Sequence, residues 1–230
     1  MTWAWLLAAG AAGYLLGSIS FTRLVARRVA PDADLSETSF TYAEKGGSVP
    51  VQGVSASSLR AHAGGRWALA VVVLDVGKAA LPALAFELLA PETDASLVAA
   101  AAAVVGHVWP VWHGFVGGFG VSPMIGGLLV IDPLALVVTI AVSGLIGVAL
   151  ADRLVAFDGW TLLLIPWFAW RGDPAEVAYA VVVTGVYWFA MRAEVRDHLR
   201  RVRRGGRPWR DRLRDLRSYT GETGRAEPEG

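Results

Sequence analysis

Two oppositely charged residues lie within a hydrophobic stretch of the sequence. Asp75 and Lys78 are three positions apart in Trp67–Ala90, a spacing that places both on one face of a helix. Ionisable groups inside apolar segments are costly and usually face a site or each other. The pair therefore predicts either an anion-binding site, in which Asp75 fixes the position of Lys78, or an ion pair that only neutralises itself.

A histidine and a glycine-rich run follow further along the chain. Gly106–Pro110 contains His107, and Gly114–Val121 contains four glycines. In a glycine turn, successive backbone N–H groups can point at one anion, more strongly where a helix begins just after the turn. The same glycines would also permit close helix packing. A lone histidine is more often structural than basic, so His107 is predicted to be an orienting hydrogen-bond donor.

Several classes of chemistry are excluded by residues that the sequence lacks. The 230 residues include no cysteine, which rules out disulfides, thiolate metal sites, Fe–S clusters and a cysteine nucleophile. The histidines show no two-ligand helical spacing, and no Gly-x-Ser-x-Gly elbow occurs. No histidine is followed five positions later by an aspartate, the pattern of the common membrane acyltransferases. We therefore expect neither a metal nor a cofactor.

The elements that position these residues are predicted to be membrane helices. The chain is 54% hydrophobic and only 18% charged, whereas an ordinary soluble domain has about 25% charged residues. Long apolar stretches indicate an all-α, polytopic integral membrane helix bundle with about seven transmembrane segments, including short or half-length helices. These stretches are Thr2–Phe21, Trp67–Ala90, Ala95–Trp112, Gly114–Ile131, Pro133–Ala151, Gly159–Trp170 and Ala175–Met191.

The distribution of arginines predicts the orientation. Arg23, Arg27 and Arg28 follow the first stretch, and twelve arginines lie in residues 192–230. The positive-inside rule puts both basic segments in the cytoplasm, so the N-terminus lies outside and the C-terminus inside. We expect a membrane domain over residues 1–205, with a polar cytoplasmic loop at 22–66. Residues 206–230 are predicted to form a flexible basic tail that frays after Tyr219.

The basic C-terminal segment also suggests partners. It begins at the end of the last apolar stretch, where clustered arginines contact anionic lipid headgroups. Aromatic residues do not alternate with its arginines, apart from Trp209 and Tyr219, so nucleic acid is not expected. The high alanine and arginine content is typical of a GC-rich bacterial source, and the expected location is the bacterial cell membrane.

Four segments, in order, resemble the bacterial acyl-phosphate:glycerol-3-phosphate acyltransferases. Gly13–Ile19 is similar to the Tyr-Leu-Leu-Gly-Ser-Ile pattern of that family, and Asp75–Lys78 to its Asp-x-x-Lys pattern. Gly106–Pro110 and Phe115–Val121 match Gly-His-x-x-Pro and Phe-x-Gly-Gly-Lys-Gly-Val at all fixed positions but one. The order and spacing of these segments agree over about residues 10–205.

The differences from the family pattern fall on residues that bind anions. Phe119 stands where the family has the lysine of Gly-Gly-Lys-Gly. Of the family's Gly-Ser-Gly-Asn loop and its trailing arginine, only Ser48 and Arg60 can be matched. The histidine and asparagine expected after the last helix are absent from Arg192–Arg196. Arg192 or Arg196 is a candidate to replace the missing positive charge.

The resemblance implies transfer of a fatty acyl group from acyl phosphate to the 1-hydroxyl of glycerol 3-phosphate, giving lysophosphatidic acid. The implied catalytic residues are Arg60, Lys78 and His107. The implied substrate-binding residues are Ser48, Asp75, Gly117, Gly118, Gly120, Arg192 and Arg196. The expected partners are the two phosphate-bearing substrates and membrane lipids. Two other functions stay open: a non-catalytic relative that binds a lipid precursor or assists a partner enzyme, and a channel or transporter.

Overall fold

The computed structural model describes residues 2–35, 38–41, 48–51, 54–204 and 208–218. Within these ranges the chain forms twelve α-helices and one short antiparallel hairpin. The helices are α1 Thr2–Gly17, α2 Phe21–Val29, α3 Ala56–Ala63, α4 Gly65–Leu89, α5 Ala95–Val108, α6 Val121–Ile131, α7 Pro133–Leu150, α8 Arg153–Asp158, α9 Trp160–Arg171, α10 Pro174–Ala190, α11 Arg192–Arg204 and α12 Trp209–Ser218. The strands are β1 Thr38–Thr41 and β2 Ser48–Val51.

The predicted helical membrane fold is confirmed. Each of the seven apolar stretches forms a helix, namely α1, α4, α5, α6, α7, α9 and α10. Among the described residues, four helical segments are long and apolar enough to span a bilayer, and a bent fifth one joins α10 to α11. The number of crossings and the outward N-terminus remain predictions.

The segment predicted as a polar loop between the first two apolar stretches contains regular structure. The first apolar helix ends at Gly17 instead of Phe21, and Ser20 starts α2 by accepting a hydrogen bond from the Arg23 backbone N–H. The hairpin pairs Thr38 with Val51. The side chains of Ser55 and Ser58 form a capping box at the start of α3, which satisfies N–H groups that would otherwise lack acceptors.

Close contact between α1 and α5 depends on three glycines. A Cβ added at Gly13 or Gly17 would lie 2.2 or 2.3 Å from a carbonyl oxygen of α5, and one at Gly106 would lie 2.3 Å from the Tyr14 oxygen. Only residues without a side chain let two helix backbones approach so closely. The Tyr14 hydroxyl also donates to the Trp109 carbonyl oxygen at 2.9 Å. These contacts hold the ends of α1 and α5 side by side.

The charged residues at the centre of α4 are positioned by helices on both sides. With 25 residues, α4 is about 37 Å long and exceeds a hydrocarbon core of about 30 Å. Near its start, Val71 packs in a buried cluster with Ala26 of α2 and Leu59 of α3. Beyond Asp75, α6 lies against α4, because a Cβ at Gly126 would be 2.1 Å from the Val76 oxygen.

The C-terminal half of the bundle has its own apolar core, and α11 leaves this core at an angle. Helices α5, α6, α7, α9 and α10 all contribute residues to the largest buried cluster. After α10 the chain bends by 64° into α11. His198 of α11 lies 3.0 Å from Asp152, and the Trp209 indole donates to the Ala149 oxygen at 3.0 Å. The two basic helices therefore lie at the C-terminal end of α7. The fraying predicted after Tyr219 falls outside the described residues.

Candidate functional site

Asp75 and Lys78 form a buried ion pair on α4. The Lys78 ammonium lies 2.8 Å from Asp75 Oδ1 and donates to the Ile19 carbonyl oxygen at 2.8 Å. Only 3% of Asp75 and 6% of Lys78 are exposed. One of the three N–H donors of the ammonium group is used by the Ile19 oxygen. The ion pair and this hydrogen bond hold Lys78 in one position.

His107 lies between this ion pair and the glycine turn. Its Nδ1 is 3.7 Å from Asp75 Oδ1, and its ring is only 10% exposed. On the other side of the ring, a Cβ added at Gly118 would be 2.3 Å from His107 Nε2. The absence of a side chain at Gly118 thus lets the turn approach the imidazole.

The glycine turn is attached both to α5 and to the segment before α3. Gly118 donates its backbone N–H to the His107 oxygen at 3.2 Å, and Gly117 accepts from the Val54 N–H at 3.2 Å. Gly120 has a φ of 99°, the left-handed conformation that glycine adopts readily, and α6 starts directly after it. The Gly118 N–H, one of the predicted anion donors, is therefore already in use within the protein.

These elements surround a small polar cavity of about 10 Å³, enough for about one water molecule. Its lining includes five of the residues predicted to act on substrate: Asp75, Lys78, His107, Gly117 and Gly118. The hydroxyl-bearing residues Ser18, Ser20 and Thr22 also line it, and sequence reasoning did not select them. The signal for them was the Gly13–Ile19 segment, which contains Ser18 and is directly followed by Ser20 and Thr22.

The other predicted residues lie outside the cavity lining. Arg60 is exposed on α3, six positions after the cavity-lining Val54. Ser48 begins β2, and its side chain is not described. Arg192 donates to the Phe189 oxygen at 2.8 Å, and Arg196 donates to the Arg192 oxygen at 3.2 Å. Both arginines are exposed on α11, where they interact with nearby backbone.

Two further residues change the electrostatics of this region. Phe119, which stands in the place of the family lysine, packs against the large apolar core, so the glycine turn brings no cation at that position. Arg23, on the first turn of α2, has a buried Nη1 with no hydrogen-bond partner among the described residues. Sequence reasoning used Arg23 only as a marker of orientation.

The described part of the chain contains no cluster of three or more His, Asp or Glu residues that could hold a metal ion. The cavity instead combines a fixed ammonium, an imidazole and three hydroxyl groups. These groups donate hydrogen bonds, so the site is suited to binding oxygen atoms of an anion and to orienting a hydroxyl group.

Comparison of the sequence with known proteins gives a consistent result. Residues 7–205 match the family described as glycerol-3-phosphate acyltransferase. A glycerol-3-phosphate acyltransferase of Halalkalibacterium halodurans is 32% identical over 190 residues, covering 79% of this chain and 84% of the relative. Another, from Anaeromyxobacter dehalogenans strain 2CP-C, is 33% identical over 205 residues, covering 85% and 92%.

Solved structures share the fold. The glycerol 3-phosphate form of PlsY (YgiH), an integral membrane glycerol 3-phosphate acyltransferase, superposes with a TM-score of 0.70 at 22% identity, covering 85% of this chain and 92% of PlsY. The lysophosphatidic acid form of the same protein gives a TM-score of 0.69 over 90% of this chain and 98% of PlsY. The similarity extends over nearly the whole described bundle.

Proposed function

Because this chain belongs to the glycerol-3-phosphate acyltransferase family, we propose that it acylates the 1-hydroxyl of glycerol 3-phosphate to form lysophosphatidic acid. It is an integral protein of the plasma membrane with several apolar helices. We further propose that acyl phosphate is the acyl donor, as the sequence resemblance implies.

The observation that carries this proposal is the convergence of several chain segments on one polar cavity. The end of α1, the centre of α4, the end of α5 and the glycine turn all contribute to its lining. The ionisable groups among them lie on helices of a membrane bundle, where charged groups usually serve a binding site. The Ser18 hydroxyl in the cavity donates to the Tyr14 carbonyl oxygen at 2.8 Å and is therefore engaged within the protein, so we propose direct transfer without a covalent enzyme intermediate.

Acyl phosphate suits such a site because it is already activated. The 1-hydroxyl oxygen of glycerol 3-phosphate attacks the acyl carbonyl carbon, and a new C–O ester bond forms. The bond between that carbon and the phosphate oxygen breaks, phosphate leaves with the electron pair, and it accepts the hydroxyl proton. The protein has to hold two anions together and orient the hydroxyl, and positioning and fixed positive charge supply such acceleration.

In this proposal Lys78 donates an N–H to a substrate oxygen near the reacting carbonyl. Asp75 keeps the ammonium in place, and His107 donates a hydrogen bond that orients the substrate. Gly117 and Gly118 form a wall that a substrate can approach closely, because neither has a side chain. Gly120 allows α6 to begin at the turn, and a helix N-terminus favours a phosphate group.

The residues outside the cavity lining are assigned supporting roles. We propose that Arg60, on α3, forms a bidentate contact with a phosphate at the cavity entrance, and that Ser48 contributes a hydroxyl to the same substrate. Arg192 and Arg196 are proposed to attract anionic substrates from the membrane surface.

The basic helices α11 and α12 are proposed to contact anionic lipid headgroups. Leu199, Val202 and Trp209 are 48%, 51% and 46% exposed, and Arg196, Arg200 and Arg203 of α11 are exposed as well. A helix with an apolar stripe and a basic face lies in the membrane interface. The 64° bend after α10 turns α11 away from the direction of the spanning helix, as this placement requires.

The direct test is an assay of purified protein with palmitoyl phosphate and radiolabelled glycerol 3-phosphate. We expect lysophosphatidic acid from the wild type and at least about 100-fold less from Asp75→Asn/Lys78→Met. The double change removes both charges, so no unpaired buried carboxylate remains to destabilise the fold. Arg66→Met removes an exposed charge at the start of the same helix and serves as the control. If the wild type binds glycerol 3-phosphate but does not turn it over, the non-catalytic alternative is supported. The main argument for that alternative is that Phe119 replaces the family lysine in the glycine turn.

A further inference from the structure

The described cavity lining lacks a free positive charge for its proposed substrates. Lys78 is the only cation among the lining residues, and it is paired with Asp75, so the pair is neutral. Lys78 also donates a hydrogen bond to the Ile19 oxygen. A phosphate monoester is a dianion with three terminal oxygen atoms, and a buried anion without a cationic partner is strongly disfavoured. The two substrates bring two phosphate groups, and Arg60 is assigned to only one of them, so a further cation is needed for the other.

The glycine turn does not supply this cation. Phe119 occupies the position of the family lysine and packs against the large apolar core. The positive charge has to come from a different element that reaches the same cavity.

Helix α2 is that element. Ser20, at its N-cap, and Thr22, in its first turn, both line the cavity. Arg23 is the next residue, and its Nη1 is buried without a hydrogen-bond partner among the described residues. A guanidinium nitrogen that has lost its water and gained no acceptor is energetically unfavourable, and a bound anion would remove this cost.

The surroundings of Arg23 are positive. His113, in the turn that joins α5 to α6, lies within electrostatic range of Arg23, Arg27 and Lys78. Arg23 and Arg27 of α2 therefore lie near the turn that joins α5 to α6, and both are cations. Such positive surroundings attract dianions and hold them more tightly than the neutral Asp75–Lys78 pair can alone.

We propose that Arg23 is a substrate-binding residue that holds the phosphate group of glycerol 3-phosphate through its guanidinium. This inference rests on the proposed function for the identity of the substrate. In this chain α2 thereby provides the positive charge that the glycine turn lacks. The planar guanidinium presents parallel N–H donors that match two phosphate oxygens.

The test compares two charge changes on one helix. Arg23→Gln removes a guanidinium of which one nitrogen, Nη1, is buried, and Arg28→Gln removes an exposed guanidinium, so both lower the net charge by one. Glycerol 3-phosphate is titrated into each purified protein, and the rise of the unfolding temperature gives its Kd. We expect Arg23→Gln to weaken binding at least tenfold and Arg28→Gln to stay within twofold of wild type. Arg23→Lys, which keeps the charge, is expected to give an intermediate Kd.

Parallel turnover assays separate this inference from the proposed function. If the wild type makes lysophosphatidic acid and Arg23→Gln leaves the Kd and KM for glycerol 3-phosphate unchanged, the inference is wrong and the proposed function stands. Equal weakening of glycerol 3-phosphate binding by Arg23→Gln and Arg28→Gln would also overturn the inference. The net positive charge of α2, and not a direct contact with Arg23, would then account for binding. If binding depends on Arg23 but the wild type shows no turnover, the proposed acyl transfer is wrong instead.

Discussion

Replacing Gly118 with alanine should lower kcat without unfolding the protein. The new Cβ would lie 2.3 Å from His107 Nε2, whereas ordinary contact begins at about 3.4 Å, so the imidazole has to move by about 1 Å. The φ angle of Gly118 is not positive, which means that the backbone itself accepts alanine. A misplacement of about 1 Å can reduce a rate about 100-fold. We therefore expect kcat to fall by about that factor.

A second glycine change provides the matched control. A Cβ added at Gly185, on α10, would meet no neighbouring atom within 4 Å, and alanine favours a helix by roughly 0.5–1 kcal/mol over glycine. Gly185→Ala should keep wild-type kcat and melt at the same or a slightly higher temperature. Both variants are assayed with acyl phosphate and glycerol 3-phosphate after their melting temperatures have been compared. A Gly118→Ala protein with wild-type kcat would refute the proposed role of His107.

Three further predictions concern other parts of the molecule. Arg60→Ala should raise the KM for a phosphate-bearing substrate at least tenfold in the same assay, and unchanged kinetics would remove Arg60 from the site. Tyr187→Phe should lower stability by about 1–3 kcal/mol in thermal unfolding, because it removes the hydroxyl that donates to Asp158. Tyr179→Phe should be nearly neutral, since the Tyr179 hydroxyl has no partner among the described residues. The chain has no native cysteines, so a spin label can be attached to Leu199→Cys alone. Vesicles containing phosphatidylglycerol should shield this label from water. If a label on Arg200→Cys is shielded equally well, the proposed lipid contact of Leu199 is wrong.

The surroundings of Asp158 explain why the tyrosine pair is informative. Burial raises the pKa of the Asp158 carboxyl, and the hydrogen bond from Tyr187 acts in the opposite direction. Removing that donor should therefore raise the pKa of Asp158 further. The destabilisation by Tyr187→Phe is then larger at neutral pH, where the carboxyl has to be buried with its charge, than at low pH, where it is protonated. Melting curves at both pH values check this difference.

The apolar helices were predictable from sequence because each one needs a long run of apolar residues, and such runs are visible without any tertiary information. Helices α2 and α3 were not predicted, because they have only nine and eight residues and short helices are marginal alone. Their stability comes from packing of Ala26 and Leu59 against Val71 of α4. The serine caps were the one local signal for them.

The site was predictable only where spacing or resemblance connected residues in sequence. The helical spacing of Asp75 and Lys78 was visible directly, whereas their contact with Ile19 depends on how the end of α1 meets α4. Arg23 was missed for the same reason. Its charge identified a cytoplasmic flank, but its position beside the cavity follows from the corner between α1 and α2, which no sequence pattern specified.

The position of the cavity raises an electrostatic problem that the glycine turn helps to solve. Helix C-termini carry partial negative charge, and α1 and α5 both end beside the proposed anion site. Lys78 donates to the Ile19 oxygen just beyond α1, and the Gly118 N–H donates to the His107 oxygen in the last turn of α5. Each bond directs a donor at a carbonyl that would otherwise repel the substrate. The turn then continues into the N-terminus of α6, which attracts anions. Its glycines therefore neutralise the C-terminus of α5 and also bring the N-terminus of α6 to the site.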